Sequence, residues 1–264
     1  MATELVLILV LLAALLWPSR ARTAPRRERW KTGCLLVLAA VAALNYFYLS
    51  RAGGFLHRWD LFHTLIGARY FPELGYDKLY ECAIFFDRRT HHHYGELGRI
   101  RDLSTLRYVP VERALRDSDC AERFTPARAQ RFVADLAAFD ALIPPSRWAS
   151  LFQDKGYNGS PFYTFVVSRL TGGIDFDRRS LLLLALVDVV LILAAFAVAA
   201  RAFGLRTALV AFVFFCVSFP NRYIHMGGSF LRFDFFACLL IGLSLLRMSR
   251  HRAAAALLAL AAMI

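Results

Sequence analysis

Apolar residues along this chain fall into long runs rather than alternating stripes. Residues 5–17 form an unbroken run, and 34–49, 181–200, 207–219 and 233–246 come after it. A sixth run starts at Ala253 and is still apolar at Ile264. Runs of this kind predict membrane-crossing helices, which need about 20 mainly apolar residues. The expected fold is an all-α polytopic membrane protein. It would have about six transmembrane helices and a large, mainly helical extracytoplasmic loop. Since the sixth run reaches the last residue, further helices are expected beyond it. Composition agrees: 58% of the 264 residues are hydrophobic and mean hydropathy is +0.46.

Charge then orients the runs. Arg20, Arg22, Arg26, Arg27, Arg29 and Lys31 separate the first two. Arg201 and Arg206 separate the third from the fourth, and Arg247, Arg250 and Arg252 the fifth from the sixth. With alternating spans these three basic loops share one side, which the positive-inside rule makes the cytoplasm. The chain then divides into three regions: 1–50 with two anchors, 51–179 as an extracytoplasmic loop domain, and 180–264 with the remaining spans. The first run has no basic residue before it and a basic stretch after it, the marks of a retained anchor rather than a cleaved signal. The net charge of +12 does not point to nucleic acid. The loop 51–179 holds 19 basic and 16 acidic residues, while the rest holds 13 basic and 4 acidic. The excess is a topology signal and an attraction to anionic membrane lipids. Localisation in the inner, or plasma, membrane is expected.

Within the loop, Thr125-Pro126 starts a helix, with Thr as cap and Pro in the first turn. Phe132, Leu136, Phe139 and Ile143 form its apolar stripe, and Pro144-Pro145 ends it. The helix lies on the membrane surface or against a small core of the loop. Residues 101–115 read as irregular, 153–160 as turn-rich, and 161–170 as a run too short to span that dips into the interface. Cys82 and Cys120 both lie in the loop, where a disulfide persists; their pairing is left open. No CxxC spacing exists, and His91-His92-His93 is not a metal triad by spacing; it reads as an exposed loop, the alternative being a hold on a phosphate or a divalent ion, and no metal or cofactor is demanded.

The candidate chemistry begins at 57–80, just past the second run. Asp60 is placed as a helix N-cap. In a helix running to about Phe71, Asp60, His63, Thr64 and Gly67 share one face of small and polar groups. That face admits a substrate at the lipid–water boundary, or is simply a capped interfacial helix. Asp188 lies inside the third run, where a carboxylate is costly; packing or partner pairing is its favoured role. Residues 221–234 return to the outer surface with Arg222, His225, Arg232 and Asp234. Gly227-Gly228 lets backbone approach a ligand there, and the segment's arginines either clamp phosphate with paired hydrogen bonds or simply snorkel at a span end.

Asp60, Ala68, Gly75 and Tyr80 resemble the D-x-x-x-Y-x-x-A…G…Y pattern in the first outer loop of GT-C superfamily membrane glycosyltransferases. The resemblance is to glycosyltransferase family 87, the polyprenyl-phosphate-mannose-dependent type. Residues 156–162 (Gly-Tyr-Asn-Gly-Ser-Pro-Phe) are similar to that family's segment before an interfacial helix, and 227–234 to its later Gly-rich segment. Thr64 stands where the pattern has Tyr, with His63 beside it. The resemblance implies an inverting transfer from a polyprenyl-phosphate sugar donor to a glycan or lipid acceptor. Asp60 would be the catalytic base. Arg58, Arg69, Arg222 and Arg232, with His63, Thr64 and Asp234, would bind substrate. The competing function is a non-catalytic membrane scaffold or envelope-assembly partner. A transporter would show repeated halves and broken helices, which the sequence lacks.

Overall fold

The computed structural model describes residues 6, 10, 13, 25–47, 54–90, 94, 97–116, 118–218 and 227–264. In chain order the elements are α1 (Pro25–Tyr46), α2 (Arg58–Leu61), a π-helical turn (Phe62–Ile66), α3 (Gly67–Arg69), α4 (Phe71–Leu74), α5 (Leu79–Thr90), β1 (Arg99–Asp102), β2 (Arg107–Pro110), α6 (Val111–Arg116), α7 (Cys120–Arg123), α8 (Pro126–Asp140), α9 (Pro145–Leu151), α10 (Pro161–Thr171), α11 (Arg178–Phe203), α12 (Leu205–Val217), α13 (Asp234–Arg247) and α14 (His251–Met263). The chain forms two compact units. Unit 1 is Met1–His57 with Ala185–Ile264, and unit 2 is Arg58–Leu184.

Six transmembrane helices are not found. Among the described residues one helix, α11 with 26 residues, is long and apolar enough to cross a membrane. The other runs fall short for physical reasons. Helices α12 and α14 have 13 residues each, about 20 Å of rise against a hydrocarbon core of about 30 Å. Helix α13 has 14 residues. Helix α1 has 22, but Arg26, Arg27, Arg29 and Lys31 fill its first turns. The first apolar run lies almost wholly outside the described residues. The all-α expectation is corrected as well, because β1 and β2 pair as an antiparallel hairpin.

Unit 1 packs α1, α12 and the later part of α11 around a core that includes Leu38, Ala42, Phe47, Ile192, Val213, Phe215 and Phe233. Phe215 stacks on Phe236 with centroids 4.7 Å apart. Helices α13 and α14 run close together: a Cβ on Gly242 would lie 2.9 Å from the Leu258 side chain.

Unit 2 is built on aromatic rings. Phe62 meets Phe139 and Trp148 edge-on at 5.6 and 5.4 Å, and Tyr70 meets Phe132 at 4.8 Å. Thr125 caps α8 by accepting the Arg128 N–H. The α8 stripe of Phe132, Leu136, Phe139 and Ile143 is buried within the protein. The hairpin occupies part of the stretch read as irregular. Its turn is made by Asp102, whose carboxylate accepts from the Ser104 amide and the Ser104 and Thr105 hydroxyls, a local alternative to helix. Cys82 and Cys120 form a disulfide joining α5 to α7.

Candidate functional site

The stretch from Arg58 to Arg69 is helical throughout, but not one regular helix. The helix begins at Arg58, so Asp60 sits inside the first turn rather than at the cap. A carboxylate is still favoured there by the helix dipole. The π turn over Phe62–Ile66 then inserts one extra residue, rotating the later part of the helix by about 100°. Asp60 and Gly67 therefore do not share the face that a regular helix would give them.

The expected open face is filled by protein. A Cβ on Gly67 would overlap the Tyr157 ring, so this glycine exists to let that ring in. The Tyr157 hydroxyl pairs with Thr164 Oγ1 at 2.6 Å. His63 and Thr64 are buried. Thr64 Oγ1 donates to the Asp60 carbonyl at 2.7 Å. His63 Nε2 lies 2.7 Å from the Tyr80 hydroxyl, which also accepts the Gly156 N–H at 3.1 Å. Burial, with the nearby Asp154 charge, pushes the Tyr80 phenol well above its usual range. Tyr80 thus keeps its proton and has it to give to His63 Nε2.

Arg69 is committed even more fully. It is buried and donates to Asp135 at 2.7 Å and to the Ile174 carbonyl at 2.7 Å. It also bonds the Thr171 carbonyl and lies over the Phe176 ring at 3.6 Å. Tyr70 donates to the same Asp135 oxygen at 2.7 Å. Burial, then the Asp135 charge, raises the Tyr70 phenol, which keeps it a donor. Arg69 therefore ties α3 to α8 and α10; its guanidinium is spent on the fold.

The first turn is less deeply buried. Arg58, Trp59 and Asp60 are half-buried. The Trp59 indole donates to Asp154 at 2.6 Å, which braces the turn against the 153–160 loop. Arg58 makes no hydrogen bond or ion pair among the described residues. The turn is thus held by Trp59, His63 and Thr64, with Asp60 half-buried and its Oδ2 covered, and Arg58, two residues before it, has no side-chain partner among the described residues.

The remaining candidates belong to unit 1. Arg222 and His225 lie outside the described residues, as do His91, His92 and His93. Arg232 and Asp234 are half-buried around the start of α13. Just before it, Gly228 adopts φ +74° and Leu231 φ +52°. Asp188, fully buried, accepts the Arg232 N–H at 3.0 Å and the Phe233 N–H at 3.3 Å. Its partner is thus backbone. Glu81, Asp119 and Cys120 cluster closely, but the Cys120 sulfur is in the disulfide and is no thiolate ligand.

Sequence reasoning missed Asp154, Tyr157 and Tyr80 as supports of the Asp60 turn. Their signal was present: a turn-rich segment whose Gly156 takes φ +75° and whose Tyr157 needs a glycine opposite. No family model, curated protein or solved structure matches this chain.

Proposed function

We propose that the chain is a membrane glycosyltransferase that moves a sugar from a polyprenyl-phosphate donor to an extracytoplasmic glycan or lipid acceptor with inversion. An acceptor hydroxyl attacks the anomeric carbon and its proton passes to the Asp60 carboxylate. The bond from that carbon to the phosphate oxygen breaks, and polyprenyl phosphate leaves with the electron pair. Arg58 supplies positive charge that a long side chain can bring toward the departing phosphate. Within unit 1, Arg232 is proposed to bind a lipid-linked phosphate, with Asp234 beside it. His63, Thr64 and Arg69 shape the turn instead of contacting substrate. The observation that carries the reading is the half-buried Asp60 in the first turn of a helix braced by Trp59–Asp154, His63–Tyr80 and Gly67–Tyr157. A site needs its reacting group on such a rigid support. The Cys82–Cys120 disulfide fits an oxidising, extracytoplasmic setting for unit 2. The apolar α11 supplies an anchor that keeps the protein beside a lipid-linked donor.

The test is transfer from a polyprenyl-phosphate mannose by the full chain in lipid vesicles, with host-membrane glycans and lipids as acceptors. Asp60→Asn keeps size and should lower transfer by about 10²–10⁴-fold, with expression and melting temperature unchanged. Wild-type rates from that variant would remove Asp60 as base. A wild-type chain that transfers to no acceptor would favour the scaffold.

A further inference from the structure

We infer that Asp188 is a positioning residue: it sets the direction in which Arg232 leaves the chain, and so its ability to hold a lipid-linked phosphate. This rests on the phosphate-binding role proposed for Arg232. The segment 227–233 of unit 1 is irregular backbone pinned at both ends. At one end the Gly228 carbonyl accepts the His57 N–H at 2.9 Å. A Cβ on Gly228 would overlap the Phe55 carbonyl oxygen, so no side chain fits. At the other end both Asp188 oxygens take the Arg232 N–H, at 3.1 and 3.0 Å, and one takes the Phe233 N–H at 3.3 Å. These amides precede α13, and the Phe233 cap has no side-chain hydrogen bond of its own. Helix starts leave such amides without carbonyl partners, and here a carboxylate from another helix satisfies them.

Between the pins, Leu231 takes φ +52°. A branched side chain there is strained by about 1–2 kcal/mol, and such strain persists where the surroundings over-determine the backbone. The left-handed residue stands immediately before Arg232. Asp188 therefore holds the backbone of the residue whose guanidinium is to meet phosphate. Ser229, on the same segment, is fully buried, and its hydroxyl has no hydrogen-bond partner among the described residues. An unmet polar group on the segment that a costly carboxylate pins marks a polar stretch in an apolar unit.

The experiment measures binding of farnesyl phosphate to the full chain in detergent, with farnesol as the uncharged control. Asp188→Asn, Arg232→Ala and the double variant are compared by affinity and melting temperature. Asp188→Asn should weaken farnesyl phosphate by about tenfold, the loss of roughly one charge-assisted contact, while farnesol binding holds. The double variant should be no weaker than Arg232→Ala alone, because the two act through one group. The inference is overturned by an Asp188→Asn variant that binds as wild type. Equal losses for farnesol and its phosphate, or additive losses in the double variant, overturn it as well. If Asp188→Asn does not fold, Arg232→Ala alone must lose phosphate affinity with farnesol binding intact, and no loss there ends the proposal. A wild-type chain that binds farnesyl phosphate through these residues yet transfers no sugar would end the transferase reading and leave this inference standing.

Discussion

Arg58 and Arg69 look alike in the sequence, each close to Asp60 in a helical stretch with apolar neighbours. The structure separates them by what each is bonded to. Arg69 finds Asp135, 66 residues away, and two carbonyls more than 100 residues away. No local pattern announces partners at that distance, so its commitment to the fold was not legible. Removing one member of a buried ion pair leaves the other charge stranded, at a cost of about 3–5 kcal/mol. Arg69→Ala or Asp135→Ala should therefore lower the melting temperature of the full chain in detergent sharply. Asp135→Ala also removes the acceptor of the Tyr70 hydroxyl. Arg58→Ala should leave melting unchanged and act on transfer alone. Equal melting for Arg58→Ala and Arg69→Ala would show that Arg69 is not holding α3 to α8. The place of Asp60 at a helix start, by contrast, was legible to within a turn, because such a start favours Asp whether at the cap or just inside it.

At the scale of elements, regular patterns were readable and exceptions were not. The α8 helix could be placed from Thr125-Pro126, a stripe at helical spacing and Pro144-Pro145, and each signal has a local physical cause. The β1–β2 hairpin was missed because its strands have four residues each, too few for alternation to stand out. The π turn was missed because an inserted residue leaves no mark on composition. It is retained where Gly67 must take the Tyr157 ring and His63 must reach Tyr80. Gly67→Ala tests that fit. Its methyl group would overlap the ring, and overpacking of this kind costs about 1–3 kcal/mol. The Tyr157–Thr164 hydrogen bond would be broken as the ring moves, loosening the 153–160 loop. Hydrogen exchange should speed up at Gly156 and across that loop. Pairing the change with Tyr157→Leu should recover part of the lost stability. A Gly67→Ala protein as stable as wild type, with an unchanged loop, would mean that the ring does not depend on the glycine.

Across the whole molecule, the apolar runs within the described residues announced helices but overstated how many are long enough to cross a bilayer. Hydropathy counts apolar residues; it does not fix how long a helix runs, and α12, α13 and α14 have only 13, 14 and 13 residues. The disulfide bears more directly on the proposed setting. Cys82 and Cys120, 38 residues apart, are joined, while Cys34, Cys216 and Cys238 are free thiols. Closing a loop of that size contributes about 3–4 kcal/mol by restricting the unfolded chain. Protein taken from its membrane, denatured without reductant and treated with a maleimide should gain three labels, rising to five after reduction. The double change of Cys82 and Cys120 to Ser should lower stability by a similar few kcal/mol, felt most in α5 and α7. If unit 2 instead faces a reducing compartment, glutathione keeps those thiols free, and all five cysteines label before reduction. That result would remove the extracytoplasmic placement of Asp60 on which transfer to an outer acceptor depends, while leaving the packing of unit 2 around its aromatic rings untouched.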